Sequence, residues 1–100
     1  MLTEEIRKAL PKLYATEHTP TDEKIAQVKF FSPYNGWRWY AVEFDGEDTF
    51  FGLVEGWEVE WGYFSLSELA GATVANGVPA VERDLLWSPT AMKNIQTVGA

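Results

Sequence analysis

The chain has 100 residues, no cysteine, and eight Lys or Arg against fifteen Asp or Glu, which gives a formal net charge of -7. This length predicts one domain over residues 1–100, whose core needs no metal or disulfide, and the lack of thiols excludes thiolate zinc sites and cysteine nucleophiles. The charge argues against direct nucleic-acid binding, which depends on Lys and Arg, and favours encounter with basic proteins.

The N-terminal segment predicts a short helix followed by a loop. Thr3 can cap the first turn, and Pro11 disfavours its continuation. The loop covers residues 15–23 and contains His18. His18 is the only histidine of the chain, which excludes a multi-histidine metal centre. Apolar residues of the helix recur at spacings of three and four: Leu2, Ile6, Leu10 and Leu13.

Four strands in succession predict an antiparallel meander. Alternating apolar residues place them at residues 24 or 25 to 32, then 37–45, 49–55 and 57–64. Asn-Gly at positions 35 and 36 and Asp-Gly at positions 45 and 46 suit the positive φ values of hairpin turns, and Gly56 marks the third turn.

Turn lengths decide which residues share a face of this sheet. A two-residue turn at Glu55-Gly56 pairs Val54 with Trp57, and hence Gly52 with Val59 and Phe50 with Trp61. These six form what we call the apolar face, together with Trp39, Ala41, Glu43, Val28 and Phe30. The opposite face then carries Lys29, Phe31, Arg38, Tyr40, Val42, Phe44, Phe51, Leu53, Glu58 and Glu60. The turn at positions 45 and 46 is taken here as a loop of two or four residues, and a three-residue loop would reverse this sorting.

The C-terminal third predicts two further helices. Ser65 and Glu68 form a capping box, and Gly71 ends the helix that it begins. Residues 72–79 are a small-residue loop, residues 81–87 can add an edge strand, and Ser-Pro at positions 88 and 89 predicts a final helix through Met92 and Ile95. The predicted fold is therefore α+β: a four-stranded antiparallel β-meander, five-stranded with the edge strand, with a short N-terminal helix, a capped helix and a C-terminal helix.

Most of the chain resembles one bacterial family. Residues 37–69 read WRWYAVEFDGEDTFFGLVEGWEVEWGYFSLSEL, and segments 2–5, 10–14, 28–31 and 82–85 continue the pattern. The chain is similar in these segments to the family catalogued as domain of unknown function 2958. The resemblance implies association with plasmids and integrated mobile elements, near genes for DNA modification or antirestriction. It carries over no catalytic residue and no cofactor.

Acidic residues without neighbouring cations are the main candidates for binding. No Lys or Arg occurs between Trp39 and Glu82. The predicted binding residues are Glu55, Glu58, Glu60, Asp45, Glu47 and Asp48. The last three crowd one turn, but their spacing is not that of an EF-hand loop and Asp and Glu suit turns, so no metal site is predicted.

Glu43 is a candidate for a buried carboxylate, because the proposed register places it among the aromatic side chains of the apolar face. Burial would raise its pKa, as in a general acid, unless a cation such as Arg83 or a backbone amide pairs with it. Both possibilities stay open at this stage.

These observations favour a nonenzymatic acidic protein that binds a basic protein, such as an antirestriction or antidefence inhibitor that imitates the charge of nucleic acid. One alternative is a small enzyme or ligand-binding domain that uses Glu43 in an aromatic pocket. Another is a structural or oligomerisation module whose opposite face is covered by a second copy. The acidic start, without an apolar signal core, and the lack of an apolar run of about 20 residues favour a cytoplasmic protein without membrane contact.

Overall fold

A five-stranded antiparallel sheet organises the structure, a computed structural model that describes residues 1–95. Within these residues no helix is both long and apolar enough to cross a membrane. The helices are α1 (Glu4–Ala9) and α2 (Leu66–Gly71). The strands are β1 (Ile25–Ala26), β2 (Val28–Phe31), β3 (Arg38–Phe44), β4 (Thr49–Glu55), β5 (Val59–Ser65), β6 (Glu82–Arg83) and β7 (Thr90–Ala91). Single 3-10 turns lie at Thr21–Glu23, Ala75–Gly77 and Met92–Asn94.

The predicted meander is confirmed, with a fifth strand at its edge. Five strands pair in the order β5-β4-β3-β2-β6, and β1 pairs with β7 in a separate two-stranded sheet. The first predicted strand is thus split at Gln27, whose N–H donates to the Ala41 carbonyl at 2.9 Å. After Gln27 the chain pairs with β3 as β2, whereas before it β1 pairs with the C-terminal strand β7.

Both helices cover the apolar face of the sheet. Thr3 caps α1 as predicted, its Oγ1 accepting from the Ile6 N–H at 3.1 Å, and Ser65 caps α2, its Oγ accepting from the Glu68 N–H at 3.2 Å. The two helices bring Leu10 and Leu69 onto the sheet. The buried residues of this layer are Leu10, Val28, Phe30, Ala41, Phe44, Phe50, Leu69 and Val81.

The C-terminal segment covers part of the opposite face, so the predicted final helix is wrong. Thr90 and Ala91 form β7 instead, and a single 3-10 turn follows. Pairing with β1 lays Trp87 against Tyr40, with ring centroids 5.6 Å apart, and buries Met92 beside Val42. An isolated short helix would be marginal in water, whereas the extended segment buries apolar surface on the sheet.

The two-residue turn predicted after β4 is also wrong. The turn contains three residues, since Glu55 pairs with Val59 and the Gly56 N–H donates to the Glu58 carbonyl at 3.0 Å. A turn of this length reverses the predicted sorting of β5. Val59 and Trp61 therefore lie on the opposite face, and Trp61 pairs with Leu53.

Glu60, predicted on the opposite face, pairs with Val54 on the apolar face, whereas Glu58 lies in the turn. Phe64 takes the place beside Phe50 that Trp61 was expected to occupy, with ring centroids 5.2 Å apart.

A β-bulge at Val42 changes the end of β3. Ala41 pairs with Gly52 but Glu43 pairs with Phe51, so one residue of β3 is extra. The bulge moves Glu43 from the predicted apolar face to the opposite face and moves Phe44 the other way, onto Phe50. Trp39, Ala41, Val28 and Phe30 keep their predicted face.

Candidate functional site

The six acidic residues predicted to bind a partner lie at two ends of the sheet. Asp45, Glu47 and Asp48 belong to the turn before β4, and Glu55 and Glu58 lie at or beyond its last residue. Seven extended residues separate these ends by about 20 Å. The sequence-predicted set is therefore not one surface, and each end has its own role.

Asp45 and Asp48 organise the turn and the start of α2. Asp45 Oδ1 accepts from the backbone N–H groups of Glu47, Asp48 and Thr49 at 2.8, 2.8 and 3.0 Å, and these bonds lower its pKa. Asp48 accepts from the Ser65 hydroxyl at 2.5 Å and the Ser67 N–H at 2.7 Å, which lowers its pKa too. Both carboxylates therefore have structural partners.

We expect Asp45→Ala to lower the thermal unfolding midpoint, while Glu47→Ala leaves it unchanged. The first change removes the acceptor of three backbone amides, whereas the Glu47 side chain is exposed on the same turn. Differential scanning calorimetry measures both. Equal midpoints for the two variants would contradict the structural role of Asp45.

Within residues 1–95 no group of three or more His, Asp or Glu side chains is placed to hold a metal ion.

Glu43 is buried, with 4% of its surface exposed. The sequence left open whether this carboxylate is unpaired or paired, and the structure shows it paired with backbone amides. Oε1 accepts from the Tyr14 N–H at 2.8 Å, and Oε2 accepts from the N–H of Thr16 at 3.0 Å and from its hydroxyl. Lys24 donates to the Thr16 carbonyl and hydroxyl. Arg83 is elsewhere, donating to the Met1 carbonyl.

This network sets the charge of Glu43. Burial alone raises the pKa of the carboxyl group, but the hydrogen bonds from Thr16 and Tyr14, together with the positive Lys24, lower it further than burial raises it. The net pKa lies below the ordinary value, opposite to the shift that a general acid needs. Glu43 thus acts as an ionised anchor for residues 11–16, whose start is held by the Phe44 N–H donating to the Pro11 carbonyl.

The other end of the sheet combines acidic and aromatic side chains. We call it the hairpin end and define it by Trp37, Glu55, Trp57, Glu58 and Glu60. Glu55 is buried and forms an ion pair with Arg38, with Oε1 2.7 Å from Nη1. Glu58 and Glu60 are exposed, and neither forms an ion pair with Lys or Arg among residues 1–95.

Two tryptophans form the walls of a groove at the hairpin end. Trp37 and Trp57 are in an edge-to-face arrangement, with ring centroids 5.9 Å apart and planes at 86°. Gly56 lies beneath the Trp37 ring, since a Cβ atom there would come within 2.6 Å of it. The groove has a volume of about 680 Å³ and is lined by Asn35, Gly36, Trp37, Glu55, Gly56, Trp57, Glu58 and Val59.

Sequence reasoning missed this groove because it placed Trp57 in the core. Trp57 is 92% exposed at the tip of the three-residue turn. The sequence is compatible with a turn of two or three residues after β4, and only the three-residue turn places Trp57 at the surface. Trp37 was expected to begin a strand, and it instead precedes β3 beside Gly56.

The strand order separates the charges of the sheet. β4 and β5 contain no Lys or Arg and lie at one edge, whereas Lys29 and Arg83 lie in β2 and β6 at the other edge. Lys29 also has an acidic neighbour, with its Nζ 3.6 Å from Asp84 Oδ2. The cation-free stretch of the sequence has thus become a negative edge with the hairpin end at its corner.

Comparison with known proteins identifies a family without an assigned activity. Residues 1–95 match the family described as Protein of unknown function (DUF2958). No curated protein and no solved structure matches the chain significantly.

Proposed function

The chain belongs to the DUF2958 family of proteins of unknown function, and from that premise we propose that it is a nonenzymatic acidic protein that binds a basic protein through its hairpin end. One observation carries the proposal: the cation-free strands lie together at one edge, and Glu58 and Glu60 are exposed there without ion-pair partners among residues 1–95. Such a field attracts positively charged surfaces and repels nucleic acid.

The use of the remaining carboxylates supports binding rather than catalysis. Glu43, Asp45 and Asp48 are occupied by internal hydrogen bonds, and their pKa values lie below the ordinary range. A carboxylate that stays ionised is a poor proton donor near neutral pH. The exposed pair at the hairpin end has no such internal role, which leaves it available to a partner.

The partner class that fits best is a protein that itself handles nucleic acid, because its binding surface is basic. Glu58 and Glu60 would replace phosphates on that surface, and the protein would then inhibit its partner by competition. An antirestriction or antidefence inhibitor is the form that agrees with the mobile-element association implied by the family resemblance.

Charge reversal at the hairpin end is expected to abolish partner binding without unfolding. Affinity capture from the host, identified by mass spectrometry, supplies the basic partner, and isothermal titration calorimetry then measures its Kd between 50 and 300 mM salt. We expect affinity to fall with salt, and Glu58→Lys/Glu60→Lys to weaken binding at 50 mM by at least about tenfold, since both changes turn attraction into repulsion.

The matched control is Glu17→Lys/Glu23→Lys, which makes the same change in net charge. Both residues are exposed, close in sequence to the Thr16 and Lys24 of the Glu43 network, and thus remote from the hairpin end. This control should retain most of the affinity. Full binding by the Glu58→Lys/Glu60→Lys protein would refute the proposal, whereas equal losses in both variants would reduce it to an effect of net charge.

The inhibitor form has its own readout. Expression of the protein in a restricting host should raise the plating efficiency of unmodified phage, and Glu58→Lys/Glu60→Lys should remove that effect while Glu17→Lys/Glu23→Lys keeps it. An unchanged plating efficiency with the wild-type protein would contradict the antirestriction form.

A further inference from the structure

We propose that the groove at the hairpin end receives the cationic side chain, lysine or arginine, of the basic partner protein. This inference rests on the proposed function and deepens it, because it assigns the recognition of one charged group to Trp37, Trp57 and Glu55. General attraction by Glu58 and Glu60 would bring the partner close, and the groove would select a positive side chain at one point of contact.

The aromatic walls have the geometry that favours a cation. The face of a tryptophan ring carries negative electrostatic potential, and a cation within about 6 Å of the ring centre is attracted to it. Trp37 and Trp57 stand at 86° with their centroids 5.9 Å apart, so the two rings form a corner rather than a closed stack. Contact between Trp37 and Gly56 holds one wall in position.

Glu55 supplies a second, independent indication of a cationic ligand. The residue lines the groove, and its side chain is only 8% exposed. Oε1 is paired with Arg38 Nη1 at 2.7 Å, but Oε2 has no hydrogen-bond partner among residues 1–95. Oε2 is itself buried, so the groove must open at Glu55 for a ligand to reach it, and an ammonium or guanidinium group that enters there would supply the missing donor.

The surrounding charges select against other occupants. Glu58, which has no ion-pair partner among residues 1–95, lines the groove and repels anions, and Glu55, whose charge is paired with Arg38, lines it too. A purely apolar side chain could contact the tryptophans but would leave Oε2 of Glu55 unpaired. A side chain with an aliphatic stem and a positive head satisfies both the rings and the carboxylate, which describes lysine and arginine.

The test uses short peptides, so that it does not depend on the captured partner. Acetyl-Gly-Gly-Arg-Gly-Gly-amide is titrated into the ¹⁵N-labelled protein, alongside the same peptide with lysine or norleucine in place of arginine. We expect the indole N–H signals of Trp37 and Trp57 to shift with the two cationic peptides and not with norleucine. The Trp87 indole, which donates to the Ala26 carbonyl at 3.0 Å, is the internal reference.

Variants identify the groove as the binding site. Trp57→Ala should weaken arginine-peptide binding about fivefold by removing one cation–π contact. It should not unfold the protein, since this side chain is 92% exposed. Glu55→Gln should weaken it as well. Leu86→Ala, which removes a side chain 95% exposed in another part of the fold, should bind as the wild type does.

Equal shifts with the norleucine peptide, or unchanged binding by Trp57→Ala, would overturn the inference. The two proposals fail separately. If the captured partner still depends on Glu58 and Glu60 while no peptide shifts the indole signals, the proposed function stands and the groove assignment falls. If the peptides bind but charge reversal leaves partner binding intact, the groove assignment is supported and the proposed function falls.

Discussion

Gly52→Ala is expected to cost about 3 kcal/mol or more of folding free energy. The residue lies in the middle of β4, where a Cβ atom would be 1.9 Å from the Tyr40 carbonyl oxygen and 3.1 Å from the Ala41 Cα. Because these are backbone atoms of the neighbouring strand, no change of rotamer relieves the overlap. The two strands would have to separate at the centre of the sheet.

The matched control for this variant is the glycine that lies directly opposite Gly52 on the neighbouring strand β5. Gly62 pairs with Gly52, but a Cβ atom on Gly62 would meet nothing within 4 Å. Gly62→Ala should therefore change the free energy of unfolding by less than about 0.5 kcal/mol, as is usual for surface positions. Urea unfolding followed by tryptophan fluorescence and far-UV circular dichroism measures both variants. Equal midpoints would show that the strands can separate at little cost.

Glu43→Ala is expected to destabilise the protein by about 3 kcal/mol. The change removes the acceptor of the Tyr14 and Thr16 amides and leaves the buried Lys24 ammonium without its nearby carboxylate. Tyr14 has φ of 69°, an unfavourable backbone conformation for a residue with a side chain, and the bond to Glu43 helps to hold it there. Urea unfolding at pH 7 measures the loss, with the exposed Glu47→Ala as control.

The same carboxylate predicts a dependence on pH. The pKa of Glu43 is lowered in the folded protein, so its contribution to stability is complete above the pKa of the unfolded chain and is lost as pH falls through the folded value. Unfolding midpoints of the wild type and Glu43→Gln should therefore differ most above about pH 5 and converge in more acidic solution. A difference that stays constant from pH 7 to pH 3 would mean that Glu43 is not an ionised anchor.

Local signals in the sequence predicted the elements that depend on neighbouring residues. Thr3 and Ser65 cap their helices because each hydroxyl oxygen accepts from the backbone N–H three residues later, a hydrogen bond that needs no distant contact. The strand from Thr49 to Glu55 has the predicted bounds, since turn residues precede and follow it. The negative charge of residues 39–82 follows from their composition, so the sequence alone predicts it as well.

The candidate site was predicted only in part, because it depends on turn length and register. Glu58 and Glu60 were recognised as acids, but Trp57 was assigned to the core. A difference of one residue in the turn moves every side chain of β5 to the other face, and the choice is made by distant packing, such as Phe64 against Phe50 and Trp37 over Gly56. The bulge at Val42 has the same effect on Glu43.

The sequence by itself determined an acidic α+β chain with an antiparallel meander, two capped helices and a long segment without cations. These features follow from residue type and short-range spacing. Only the tertiary structure decided that Glu43 is an ionised anchor, that the six candidate acids lie at two ends, and that Trp37 and Trp57 form a groove beside Glu55. Each of these depends on which strands pair and in which register, and that choice is made by the packing energy of the whole sheet rather than by any local pattern.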